Sequence, residues 1–201
     1  MATSKVEITN MALTLLGADL ITSMSESTER ARTANAIFDT VRDAVLRAFP
    51  WNFAIQRQSL PSLASPVPAD NWNYFFNVPT GCLRVLEVDE AKGGLPYALE
   101  RGYIACNFSP IVVKFIYQET DVTKYDSLFV LALSARLAHS MAQRRIQSSA
   151  REKELYDLYR SYVKEARSVD SQEGTAGELT ADDWLDARGN GTVMRSGNPY
   201  T

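Results

Sequence analysis

Histidine and cysteine are scarce in this chain: among 201 residues there are one histidine, His139, and two cysteines, Cys82 and Cys106. So few soft ligands exclude a zinc set built from Cys and His. The two thiols lie outside any C-x-x-C pattern and give no disulfide framework, so reduced thiols are the default. No stretch approaches the roughly 20 apolar residues of a membrane-spanning helix. An excess of basic residues is also missing, since 21 Lys and Arg stand against 24 Asp and Glu for a net charge of −3. Bulk charge therefore gives no attraction to nucleic acid or to an anionic membrane. Neither phosphate-loop pattern occurs; Gly93-Gly94 has neither the spacing nor a following helix. No nucleophile elbow surrounds a serine. The start, Met1-Ala2-Thr3-Ser4-Lys5, lacks the basic region and apolar run of a signal peptide, and the expectation is a chain folded in a cytoplasm. Catalytic residues, cofactors and metals are not expected.

What is present is ordinary in bulk, 45% hydrophobic and 22% charged, enough for one core with appendages. Residues 1–50 read as a helical hairpin. Ser4-Lys5-Val6-Glu7 is a capping box, Ile8, Met11, Ala12, Leu15 and Leu16 form a stripe, and Gly17 sits at a left-handed stop. A second helix runs through about Ala48, with Ala31, Ala34, Ile37, Phe38, Val41 and Val45 on one face, and Pro50 ends it. Residues 51–120 read as β-rich. Trp51, Phe53 and Ile55 alternate with polar or small neighbours as a strand does, and Ser59 to Asp70 reads as a loop. Short strands follow at Tyr74–Val78, Cys82–Val88, Pro96–Glu100, Tyr103–Asn107 and Ile111–Tyr117, with turns at Lys92-Gly93-Gly94 and Arg101-Gly102. One small antiparallel sheet is expected from them. Residues 121–169 return to helical period, a helix with a broad apolar face ending near Ser148 and a last one from about Arg151 to Ser168. The expected fold class is α+β, mainly α: a bundle of N- and C-terminal helices, an inserted antiparallel sheet, and an extended tail over residues 170–201.

That tail stands apart. Ser171 to Glu178 is small and polar, and Arg188 to Thr201 is rich in turn formers, too poor in periodic apolar residues to offset the entropy of ordering alone. Yet Trp184, Leu185, Val193, Met194, Pro199 and Tyr200 are set into it as anchors for a partner. Asp182, Asp183 and Asp186 are better read as a cap of a short Trp184-Leu185 helix than as a cation site. His139, inside an apolar helix, is better read as a partly buried histidine than as a base. Arg144 and Arg145 close a helix, where cations suit the dipole. Arg30 and Arg32 mix with Glu26 and Glu29, as on a salt-laced solvent face or a subunit contact. Trp72, Tyr74, Phe75 and Phe76 lack the interleaved positive charge of a base-stacking platform, so core or interface is favoured. Candidate subunit or tail contacts are therefore Arg30, Arg32, Trp72, Phe75, Arg144 and Arg145.

Most of the length carries a further pattern. A helix, Ile8-Thr9-Asn10-Met11-Ala12-Leu13-Thr14-Leu15-Leu16-Gly17, is followed by Ile21-Thr22 and the acidic-polar turn Ser25-Glu26-Ser27-Thr28-Glu29. The helix Ala31 to Ala48 then runs into Pro50-Trp51-Asn52-Phe53-Ala54, and a tyrosine-rich late helix and long polar tail come after. In this arrangement the chain resembles the tail tubular protein A family, adaptor or head-completion proteins of tailed bacteriophages, mainly short-tailed ones. The resemblance implies a virion protein in the tail or neck, assembled in the host cytoplasm. Such a protein forms a ring of copies of itself, twelve in the family, beneath the portal protein. It extends the DNA channel without sequence-specific binding and without a membrane, and it offers a platform to a downstream nozzle protein. The tail anchors named above would then meet the portal. The rival reading is a prophage or bacterial helical interaction protein whose tail binds another partner; a carboxylate-based hydrolase comes third.

Overall fold

Ser4 and Glu7 close the capping box that their spacing predicts. In a computed structural model, which describes residues 4–66, 68, 71–89, 91, 93–145 and 149–173, the Glu7 N–H donates to Ser4 Oγ at 3.1 Å and the Ser4 N–H to Glu7 Oε2 at 2.8 Å. These bonds satisfy donors that the first helical turn leaves open and start α1 (Lys5–Leu15). Gly17, at φ 65°, turns the chain out of it. Asn10 then clamps the following loop, accepting from the Ile21 N–H and donating to the Ile21 carbonyl, each at 2.9 Å. Thr28 caps α2 (Glu29–Ala48) through the Ala31 N–H.

The stretch from Trp51 departs from the strand that its alternation predicts. Asn52–Ala54 is a single 3-10 turn, and β1 (Ile55–Leu60) begins only after it. Trp51 and Ala54, three residues apart, both face the core, a spacing that an extended strand cannot supply. The Trp51 indole N–H donates to the Val45 carbonyl at 3.0 Å, which ties the turn to the end of α2. β1 also extends into the segment expected as loop, as far as Leu60; Pro61 follows it.

The remaining strands are β2 (Tyr74–Asn77), β3 (Cys82–Val88), β4 (Tyr97–Glu100), β5 (Tyr103–Cys106) and β6 (Ile111–Tyr117), then α3 (Ser127–Arg145) and α4 (Ser149–Glu173). The class is α+β, with two three-stranded antiparallel sheets, β1-β6-β3 and β2-β5-β4, where the sequence suggested one. The turn after β3 does form, with the Gly94 and Leu95 N–H groups donating to the Asp89 and Val88 carbonyls. Beyond it the strands part, β3 pairing with β6 and β4 with β5. The reason is burial: Val85, Val88, Ile111, Val113 and Phe115 of one sheet share a core with Phe76, Ile104 and Cys106 of the other. A single flat sheet would leave that face in water. Cys106 is buried and Cys82 half-buried at the edge of this core, both as free thiols.

The opposite face of β1-β6-β3 meets the helices. Ile116 is part of the helical core, and Leu83 and Leu86 pack against it. α3 packs on α1, α2 and α4, so Phe129, Leu133, Leu137, Ala138 and Met141 are buried on several sides rather than along one broad face. α4 runs past the expected end at Ser168 to Glu173, because Val169 to Glu173 holds no breaker before Gly174. Where the tail residues 174–201 are concerned, they lie outside the described residues.

An aromatic cluster joins the layers. The Trp51 ring stands 5.2 Å from Phe49 and 5.0 Å from Phe129, edge to face, and Phe53 stands 5.1 Å from Phe129 and 5.6 Å from Tyr125. The Tyr125 hydroxyl donates to the Glu119 carbonyl at 2.9 Å, and burial pushes its pKa up to about 12. Edge-to-face pairs of this kind add to the area they bury. Truncating Trp51 to Ala opens a cavity at the centre of the cluster and leaves the Val45 carbonyl without its donor. Denaturant unfolding is expected to show a loss of roughly 3–5 kcal/mol, whereas Trp51→Phe, which keeps a ring, loses much less.

Candidate functional site

Two polar constellations are closed on themselves. Arg42, 3% exposed, donates to Asp39 and Asp43 at 2.8 Å each. Asp39 also takes Lys5, and Asp43 takes the Gln118 amide at 2.6 Å. This network ties α1, α2 and the end of β6 together, and the carboxylates are occupied by it. The second surrounds His139 on α3. Its Nδ1 lies 3.4 Å from Arg136, its Nε2 3.7 Å from Glu152 of α4, and its ring 5.3 Å from Tyr156. The Arg136 guanidinium lies 5.5 Å from both the Tyr156 and Tyr159 rings, a cation–π clamp between α3 and α4. Burial first, then Arg136, lowers the His139 pKa; Glu152 opposes them. His139 is thus a packing residue between two helices of its own chain.

A concave surface beside α4 has a different character. Ala48, Asp157, Tyr159, Arg160, Val163, Lys164 and Arg167 line a groove of about 530 Å³ where α4 passes the end of α2. A second hollow of about 410 Å³ lies between the helices and the sheet, lined by Phe49, Pro50, Asn52, Ile55, Leu86, Lys114 and Arg167. Arg167 lines both, its guanidinium 5.3 Å from the Phe49 ring centre. Apolar lining from Ala48, Val163, Phe49, Pro50, Ile55 and Leu86 is mixed with the cations Arg160, Lys164, Arg167 and Lys114 against Asp157. Arg160, Lys164 and Arg167 fall at i, i+4 and i+7 on α4, one stripe of a helix, and all three are exposed. No local pattern in the sequence reports the groove, because its other wall comes from Ala48, far away in the chain.

The surface residues expected as contacts are scattered. Arg30 donates to Asp19 at 2.9 Å, and Arg32 is exposed one helical step away. Trp72 is half-buried next to Asn73, whose N–H donates to Asn107 Oδ1 at 3.0 Å across the turn that bears the exposed Phe108. Phe75 is 6% exposed and stacks on Tyr103 of its own sheet, centroids 5.5 Å apart. Arg144 and Arg145 belong to the last turn of α3, and their side chains are not among those described. Trp184, Leu185, Val193, Met194, Pro199 and Tyr200, with Asp182, Asp183 and Asp186, lie outside the described residues. Asp121 and Asp126 do cap: Asp121 accepts from the Thr123 N–H and Asp126 from the Leu128 N–H.

Among the described residues no group of three or more His, Cys, Asp and Glu could hold a metal ion, and no helix is long and apolar enough to cross a membrane. No family model matches the chain, and no curated protein matches it.

The lowered His139 pKa sets the sign of a pH effect. The unfolded imidazole binds its proton near pH 6.5, the folded one at lower pH, so acidification through this window favours the unfolded chain. The stabilisation present above pH 6.5 is therefore lost as pH falls through the folded value. Melting temperatures taken from neutral to mildly acidic pH should fall less steeply in His139→Gln than in the parent; equal slopes would deny the shift.

Proposed function

We propose that the chain is a head-to-tail adaptor of a tailed bacteriophage, one subunit of a ring that docks beneath the portal and carries the next tail component. The observation that carries this reading is the resemblance in the arrangement Leu15-Leu16-Gly17, helix, Pro50-Trp51-Asn52-Phe53. Those residues are also the ones on which the fold turns, since Trp51 and Phe53 sit in the aromatic cluster between helices and sheet. A residue pattern tied to the junction of the layers is a pattern of architecture rather than of chemistry.

In this reading the four helices form the bundle that makes the body of the ring, twelvefold as in the family. The two sheets, with Trp72 and the exposed Leu99 and Phe108, face a neighbouring copy or the nozzle protein below. Arg30 and Arg32 on α2 and Arg144 and Arg145 at the end of α3 supply polar contacts between copies. The tail, which begins beyond Glu173, supplies the portal contact through Trp184 and Leu185 first, then Val193, Met194, Pro199 and Tyr200. A segment that orders on docking makes assembly sequential, because its entropic cost is met only when the portal is present. DNA passes through an acidic ring that binds no sequence.

Removing residues 174–201 should abolish sedimentation of the protein with portal rings and leave the far-ultraviolet circular dichroism of the remainder nearly unchanged. Replacing Trp184 by Ala in the full chain should weaken docking by roughly 2 kcal/mol or more, as a central buried aromatic does. Normal docking by the truncated chain would refute the tail's role.

A further inference from the structure

We propose that the basic, partly apolar groove along α4 is the docking site of this chain's own segment Glu178-Leu179-Thr180-Ala181-Asp182-Asp183-Trp184-Leu185-Asp186. The two surfaces are complementary in charge. The groove and its neighbouring hollow carry Arg160, Lys164, Arg167 and Lys114 with one carboxylate, Asp157. The segment carries Glu178, Asp182, Asp183 and Asp186 and no cation, and it interleaves them with Leu179, Trp184 and Leu185. Acid and apolar groups thus face a site lined by cations and by Ala48, Phe49, Pro50 and Val163.

The chain length also fits. α4 ends at Glu173, six residues after Arg167 and sixteen after Asp157, which places the groove about 9 to 24 Å back along the helix at about 1.5 Å per residue. Gly174-Thr175-Ala176-Gly177 is a four-residue connection with a glycine at each end, an ordinary length for reversing one helix onto the next. Coiled, the nine residues that follow reach about 13 Å, close to the length of the groove. Running antiparallel to α4, carboxylates spaced at 178, 182 and 186 meet cations spaced at 167, 164 and 160 in turn. Glu178 falls beside Arg167, Asp182 beside Lys164 and Asp186 beside Arg160.

The docked segment includes Trp184 and Leu185, the residues proposed above to reach the portal. The groove therefore holds the tail on its own subunit until a stronger partner takes it. The inference does not depend on that partner, because its test uses the isolated full chain; failure here leaves the portal reading standing, and failure of portal docking leaves this one standing.

Hydrogen–deuterium exchange on the full chain reads the contact. Amides of 178–186 should be protected at low salt and lose protection as salt is raised. Arg160→Glu with Lys164→Glu, both at exposed positions, should abolish the protection while peptides of α3 stay as protected as in the parent. Asp182→Lys with Asp186→Lys should abolish it equally from the tail side, and joining the two pairs of changes should restore it. Unprotected 178–186 amides in the parent would overturn the proposal, as would protection that survives both charge reversals. Protection that fades on dilution would overturn it too, by assigning the groove to a second copy's tail.

Discussion

The packing of Trp51 against Phe129 is the constraint on which the rest of the structure depends. α2 must end where it does for the indole N–H to meet the Val45 carbonyl, and Pro50 with the 3-10 turn of Asn52–Ala54 sets that end. Phe129 opens the buried course of α3, the helix on which α1, α2 and α4 all pack. Phe53 and Tyr125 widen the cluster toward the sheet side of the molecule. Phe49 carries it outward to Arg167 of α4. Five rings thereby hold the start of the sheet region, the central helix and the last helix in one relation. Aromatic groups suit the task because each buries a large area with few rotamers.

From that hub the polar features take their places. The Arg42 network fastens α1 and the end of β6 to α2, and His139, Arg136, Tyr156 and Tyr159 fasten α4 to α3. Two concave surfaces meet at Arg167, a groove where α4 passes the end of α2 and a hollow that Phe49 of the aromatic cluster lines. Their chemistry, cations mixed with apolar groups, suits an acidic amphipathic peptide better than a small molecule. The tail of the chain has the composition of such a peptide, and the proposed portal contact and the proposed groove contact both draw on the same stretch of it.

Much of the local structure was legible in the residues. The capping box at Ser4, the stop at Gly17, the Pro50 terminus and the β-branched run Ile111–Tyr117 all follow from short-range physics, and each is found where it was expected. Long-range competition decided the rest. Trp51-Asn52-Phe53-Ala54 alternates like a strand, but the gain from burying Trp51 and Ala54 together selects a turn. Two sheets replace one because Phe76, Ile104 and Cys106 need the apolar face of β3 and β6, and no local signal reports which strand finds which edge. Ring-on-ring burial of Phe75 beneath Tyr103 was equally hidden, for an exposed and a buried aromatic in a short strand read alike. The groove could not be read at all, since its walls lie about a hundred residues apart along the chain. Of the candidate contacts, the tail anchors rest on composition alone, apolar residues stranded in polar sequence, and they lie outside the described residues.

The central claim is that this fold is a ring subunit attached to a portal. Electron cryomicroscopy of the full-length chain mixed with portal rings tests it most directly. The account predicts a coaxial ring of density beneath the portal, into which copies of the helical layer and both sheets fit side by side around an open channel. Portal rings recovered bare, or decorated without a closed ring, would contradict it.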